Sequence, residues 1–172
     1  MNQSDDPRRV PPPASYLRKL AVFGGLNPEQ LGYVRELLVR HDFDAGEELC
    51  REGDSAGEMY VVVTGTADVL KRSPATGQQR RLTTIGPGGC VGEMALLDCQ
   101  PRSVTVRATT ACRTFVITWD ALLRLYQRDL LTYTLIMMNL ARELSRRLRS
   151  ANGRLADSLP PEDPAAEDDE GS

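Results

Sequence analysis

A carboxylate and a guanidinium stand nine residues apart in the stretch Gly92-Glu93-Met94-Ala95-Leu96-Leu97-Asp98-Cys99-Gln100-Pro101-Arg102-Ser103-Val104-Thr105-Val106, and these two groups offer the clearest chemistry in the chain. The stretch follows Gly86-Pro87-Gly88-Gly89, runs through one apolar helical turn and passes by way of Pro101 into an alternating pattern. A turn that brings both charges among apolar neighbours suits a ligand with one anionic phosphate and one sugar hydroxyl. The unpaired N–H groups at the start of a short helix over residues 93–97 favour an anion. Arg102 adds a planar fork of donors to the same oxygens. Glu93 would repel a phosphate, so its useful role is to accept from a sugar hydroxyl. The glycines let the main chain approach the ligand closely. An internal ion pair holding the loop is the other use for these charges. Exposed pairs contribute little, and buried ones are often no better than apolar replacements, so stability alone is a weak reason for the pair.

The rest of the chain must position this stretch. Residues 14–22 read as a short helix. Asn27-Pro28-Glu29-Gln30 begins another, with a capping residue, a first-turn proline and an acid at the positive end, and Leu31, Val34, Leu37 and Leu38 follow at helical spacing. From His41 the period changes to two. Candidate strands lie at residues 40–44, 47–51, 58–64, 66–71, 80–85, 103–108 and 112–118, with Gly46, Gly53, Gly57 and Gly65 between them and a hairpin at Ser73-Pro74-Ala75-Thr76-Gly77. Many short strands with such turns imply a closed β-structure. Thr118 caps a helix over residues 119–126, and a longer helix runs from about 128 to 156. In it Tyr133, Met137, Leu140, Leu144, Leu148, Ala151 and Leu155 recur at steps of four and three, a seam longer than one small barrel covers. Arg142, Arg146, Arg147 and Arg149 fall on the other faces and read as solvated. The expected class is mainly β with flanking helices: an antiparallel jelly-roll barrel with N-terminal helices and a long C-terminal helix. The seam points to a homodimer; packing wholly on its own barrel is the other possibility.

The pattern Gly-Glu-x-Ala-Leu-Leu, followed by Pro-Arg-Ser and an alternating strand, resembles the phosphate-binding cassette of the cyclic nucleotide-binding domain family. That family includes the bacterial catabolite activator protein and the regulatory subunits of cAMP-dependent protein kinase. Glu52-Gly53-Asp54 and Met59-Tyr60-Val61-Val62-Val63-Thr64-Gly65 resemble two further family features, while Gly89 and Cys90-Val91 depart from the acidic and aromatic residues usual before the cassette. The resemblance implies that Glu93 takes the ribose 2′-hydroxyl and Arg102 the cyclic phosphate. Gly92, Ala95 and Leu96 would add main-chain contacts, with Met94 beside them, and Ser103 would touch phosphate or base. Family members also close the base pocket with the last helix, which points to residues 149–152 and to Asn152 as a lid residue. Ser103 is compatible with either nucleotide, and cAMP is favoured over cGMP. The resemblance thus implies a stand-alone cyclic nucleotide sensor signalling through its last helix to an unidentified protein effector, because no helix-turn-helix follows that helix. The other reading is a dimeric interaction scaffold whose pocket stays empty.

Composition excludes several classes. His41 is the only histidine, so no cupin-type metal site can be assembled, and no catalytic triad has a recognisable nucleophile turn. The chain is therefore expected not to be an enzyme and to hold no metal. Seven of the 24 acids and none of the 21 bases lie after Arg154, which leaves 17 acids against 21 bases in the remainder. That mild excess, without an aromatic platform, does not indicate direct nucleic-acid binding. The segments 1–13 and 157–172 lack any apolar period and are expected to be disordered, flanking a nucleotide-binding domain at 14–156. With no secretory or membrane-spanning run, the expected location is cytoplasmic. Cys50, Cys90, Cys99 and Cys112 have no CxxC spacing and read as small apolar fillers, although Cys90 and Cys99 bracket the cassette.

Overall fold

The apolar run Met59-Tyr60-Val61-Val62-Val63 sets the architecture, because its strand is buried on both faces. In the computed structural model, which describes residues 12–160, β3 (Glu58–Thr64) lies in an antiparallel four-stranded sheet of order β1-β8-β3-β6, with β1 at Val39–Phe43, β6 at Cys90–Val91 and β8 at Cys112–Thr118. A second antiparallel sheet has the order β2-β7-β4-β5, with β2 at Glu48–Cys50, β4 at Ala67–Arg72, β5 at Gln79–Ile85 and β7 at Thr105–Ala108. Alternate residues of the first sheet part company, as strand geometry requires. Tyr60, Val91 and Val116 join Leu49, Ala67, Val106 and Ala108 of the second sheet in one core. Met59, Val61, Cys90, Phe115 and Ile117 face a second core made with the helices. The two facing sheets form the expected jelly roll.

The helices are α1 (Ala14–Leu17), α2 (Pro28–Leu37), α3 (Glu93–Asp98), α4 (Trp119–Arg128) and α5 (Leu130–Ser158). The start of α2 is a reciprocal cap: the Gln30 N–H donates to Asn27 Oδ1 and the Asn27 N–H to Gln30 Oε1, both at 2.9 Å. Thr118 caps α4 through the Ala121 N–H at 3.1 Å. Asp129 separates α4 from α5 and caps the latter through the Thr132 N–H at 3.0 Å.

Three expectations change. The helix over 14–22 is two pieces, α1 and a 3-10 turn at Ala21–Phe23, because Leu20, Val22 and Phe23 are all buried and one straight helix cannot point all three inward. The strand β6 escapes a periodicity argument, since two residues carry no period. The last helix reaches Ser158, past the anticipated end at 156, so Asp157 and Ser158 belong to it. At the other end Pro12 is buried and the Pro13 carbonyl accepts the Tyr16 and Leu17 N–H groups. The remaining parts of the two segments expected to be disordered, 1–11 and 161–172, lie outside the described residues.

The seam of α5 divides in two. Thr132, Ile136 and Leu140 are buried against the helical core, with Tyr133 and Met137 packed beside them. Leu148 and Leu155 are 62% and 58% exposed.

Candidate functional site

Gly92 is the pivot of the site. It joins β6 to α3 at φ 84°, a left-handed conformation that disfavours any side chain, and a Cβ placed there would stand 2.0 Å from Arg102 Nη1 and 2.9 Å from the Glu58 carbonyl oxygen. The two chemical groups sit on either side of this glycine.

Arg102 is 5% exposed. Its Nη1 donates to the carbonyls of Glu58 at 2.7 Å and Gly92 at 3.4 Å, and the guanidinium lies 5.8 Å from the Tyr60 ring centroid. The only carboxylate oxygen near it among the described residues is Glu58 Oε1, 3.9 Å from Nη2, and that oxygen also accepts from the Tyr60 hydroxyl. The main chain of Arg102 is held as firmly. Its N–H donates to the Asp54 carbonyl and its carbonyl accepts from the Gly53 N–H, both at 2.9 Å. The Glu52-Gly53-Asp54 turn thereby braces Arg102. Glu52 accepts from Lys71 Nζ at 2.7 Å and from the Arg72 N–H at 3.0 Å, and Lys71 holds its carboxyl below the ordinary range. Lys71 also donates to the Ser103 carbonyl at 2.8 Å.

Glu93 opens α3 and is 3% exposed. Its Oε1 accepts from Arg147 Nη1 at 2.7 Å, while Oε2 is buried with no hydrogen-bond partner. Burial pushes its carboxyl above the ordinary value, and Arg147 opposes that shift. Arg147 further donates from Nη2 to the Cys90 carbonyl at 2.8 Å and from Nε to Glu143 Oε1 at 3.1 Å. One side chain of α5 therefore ties together that helix, β6 and the start of α3.

The other anticipated residues are distributed as follows. Ala95 and Leu96 are buried, Leu96 within the helical core, and anchor α3. Met94 is 45% exposed, and its sulfur lies 3.7 Å from the Ser103 hydroxyl. Gly92, Glu93, Met94, Ala95, Leu96, Arg102 and Ser103 thus occupy one locality. Asn152 is exposed on α5, about one and a half turns beyond Arg147, and makes no hydrogen bond to the cassette. The helical residue in contact with the cassette is Arg147, read from sequence only as a solvated arginine. Buried Cys90 carries a thiol pushed up to about 12 by its burial, which keeps it neutral, whereas Cys99 is exposed with φ 55° at the end of α3. Among the described residues no group of three or more His, Cys, Asp or Glu could hold a metal ion, and no helix is long and apolar enough to cross a membrane.

Comparison with known proteins shows the family and the fold. The family model described as "Cyclic nucleotide-binding domain" matches residues 40–129, which span most of the two sheets, the cassette and α4. The chain belongs to this family. It is 30% identical over 143 residues to the CRP-like cAMP-activated global transcriptional regulator of Mycobacterium tuberculosis, covering 83% of this chain and 62% of the relative. The Thermus thermophilus catabolite activator protein structure is similar at a TM-score of 0.70 with 31% identity, covering 79% of this chain and 62% of that one. A cyclic nucleotide-binding domain from Methylobacillus flagellatus matches at 0.78 with 24% identity over 87% of this chain and 83% of that one, a likeness of fold. The chain therefore spans less than two thirds of the regulator and of the activator, and their regulatory outputs are properties of those longer proteins.

Proposed function

We propose that the chain is a regulatory sensor module that binds a cyclic nucleotide, cAMP in preference to cGMP, and passes occupancy through α5 to a separate protein partner. The observation that carries this reading is the pair of incomplete charged groups beside Gly92. Arg102 is buried with main-chain carbonyls as its close partners, and Glu93 keeps one buried oxygen without a donor. A cyclic phosphate completes the first and a ribose hydroxyl the second. Met94 and Ser103 border the same space, and Asn152 lies on the part of α5 that would approach the base. The preference for cAMP is supported by the names of the relatives. A homodimer through Leu148 and Leu155 would cover the exposed end of the seam. No metal takes part, and the module works in the cytoplasm.

Those same exposed leucines favour a second reading, a dimeric scaffold with an empty pocket. Titration calorimetry with cAMP and cGMP separates the two. The sensor gives saturable heat and a raised melting temperature, more with cAMP than with cGMP. No heat and no thermal shift at millimolar nucleotide leaves the scaffold.

A further inference from the structure

Arg142, Arg146 and Arg149 lie on the side of α5 that Arg147 does not use. Their spacing of four and three residues puts them along one face of the helix, and all three are exposed. They line a groove of about 690 Å³ between α5 and the 3-10 turn at Ala21–Phe23, with Ala21 and Met138 as apolar members. Asn139 fixes its wall, because its amide donates to the carbonyls of Val22 at 3.2 Å and Gly24 at 2.9 Å. Among the described residues the cations of this groove are short of acid. Arg142 donates to the Asn139 amide oxygen at 2.9 Å, Arg149 meets no carboxylate, and Glu143, which meets Arg146, is shared with Arg147. The same chain carries the complementary charge: Glu162, Asp163, Glu167, Asp168, Asp169 and Glu170, with no base after them, follow α5 in sequence and lie outside the described residues. We propose that this acidic segment returns along α5 of its own molecule and occupies the arginine groove as an electrostatically held cover. The proposal goes beyond the sensor reading and does not depend on it.

Chain lengths match the arginine spacing. The helix ends at Ser158, where Leu159 is extended at φ −89° and ψ 149° and the Pro160-Pro161 pair cannot continue it. At about 1.5 Å per helical residue, Arg149 stands about 14 Å and Arg142 about 24 Å back from Ser158. At about 3.3 Å per extended residue, Glu162 and Asp163 reach about 13 to 17 Å from Ser158, and residues 167–170 reach about 30 to 40 Å. The first acids therefore reach Arg149 and the second group reaches Arg146 and Arg142, with length left for the reversal. The route between is open. Gly153 and Ala156 continue the arginine face, both are exposed, and a Cβ added at Gly153 would meet nothing within 4 Å. Each exposed guanidinium–carboxylate pair contributes little alone. Several share one tether, however, and a short tether supplies an effective concentration on the order of millimolar. Such a cover holds at low ionic strength, lifts as salt screens it, and must be displaced by any acidic peptide that arrives from solution.

The test uses the full chain, two variants and one probe. The first variant neutralises the acids by Glu162→Gln, Asp163→Asn, Glu167→Gln, Asp168→Asn, Asp169→Asn and Glu170→Gln, and the second adds Arg142→Gln and Arg149→Gln to it. The probe is a fluorescent synthetic peptide of residues 159–172, with binding read by anisotropy. At about 50 mM salt the neutralised chain binds the peptide about tenfold or more tightly than the wild type does, because its groove is uncovered, and the binding fades by about 500 mM. The added arginine changes abolish it. Equal affinity of the wild type and the neutralised chain, or no binding by either at low salt, overturns the proposal. Peptide binding that ignores salt or survives Arg142→Gln with Arg149→Gln overturns it as well, since the acids then go elsewhere. Shielding of the wild type that disappears on diluting the protein assigns the cover to a second copy and overturns its placement within one molecule. All of these outcomes leave the sensor reading where it stands.

Discussion

Two guanidiniums flank Glu93, and the protein treats them differently. Arg102, from the loop ahead of β7, donates to main-chain carbonyls at 2.7 and 3.4 Å, and its nearest acidic oxygen, Glu58 Oε1, lies 3.9 Å away. Arg147, from α5, meets Glu93 at 2.7 Å and Glu143 at 3.1 Å. Burying a charge is costly unless an opposite charge or several hydrogen bonds offset it. Two carboxylates offset Arg147, whereas Arg102 has main-chain carbonyls as close partners and a single acidic oxygen at the limit of ion-pair distance. On the proposed reading a phosphate completes Arg102, whose 5% exposure places it where a low local dielectric strengthens such an attraction.

The largest effect is expected at Arg102. Replacing it by Ala should weaken cAMP binding by roughly 2 to 5 kcal/mol, or about thirty-fold to several thousand-fold. Arg102→Lys should lose much of the same, because one ammonium cannot reproduce the fork. If calorimetry finds either variant near wild-type affinity, the distinction between the two arginines is void. Next comes Gly92→Ala. Its φ of 84° and the 2.0 Å approach to Arg102 Nη1 mean that a methyl group must displace the guanidinium or strain the turn. A loss of about 1 to 3 kcal/mol in stability, read from denaturant midpoints, is expected together with weaker nucleotide binding.

Glu93→Gln sharpens the comparison through pH. Because burial raises the folded-state value of Glu93 above its unfolded one, its stability contribution is full below the ordinary carboxylate range and is lost as pH rises through the raised value. Thermal melts of the ligand-free wild type should lose this part of their stability on going from acid towards neutrality, and Glu93→Gln should flatten it. The pH dependence of nucleotide binding runs the other way, since the ribose hydroxyl needs the carboxylate. The smallest effect on the isolated fold is expected from Leu148→Glu. Leu148 is 62% exposed, so the melting temperature should hardly move, while self-association measured by sedimentation should weaken by about 1 to 3 kcal/mol if the residue is buried between copies.

The sequence made the cassette legible because its groups are contiguous: Gly92, Glu93 and Arg102 fall within one loop and helix, and glycine and charge type suffice to suggest a phosphate and a hydroxyl. The sheets were legible for a related reason. Glycine-marked turns and alternating segments located seven of the eight strands, β6 being too short to show a period. Arg147 was not legible. It meets Glu93 from 54 positions away, and five arginines crowd the same helix, so only the angular setting of α5 on the core tells which one points inward. That setting follows from burial of Thr132, Ile136 and Leu140. The same packing explains why the continuous seam is half core and half open surface. The split of residues 14–22 into two short pieces likewise depends on what Leu20, Val22 and Phe23 must touch.

The most direct measurement is a crystal structure of the full chain with cAMP. It should show the cyclic phosphate within hydrogen-bond distance of the Arg102 guanidinium and the ribose 2′-hydroxyl on Glu93 Oε2. A nucleotide bound elsewhere, or bound here without touching Arg102 and Glu93, would contradict the assignment.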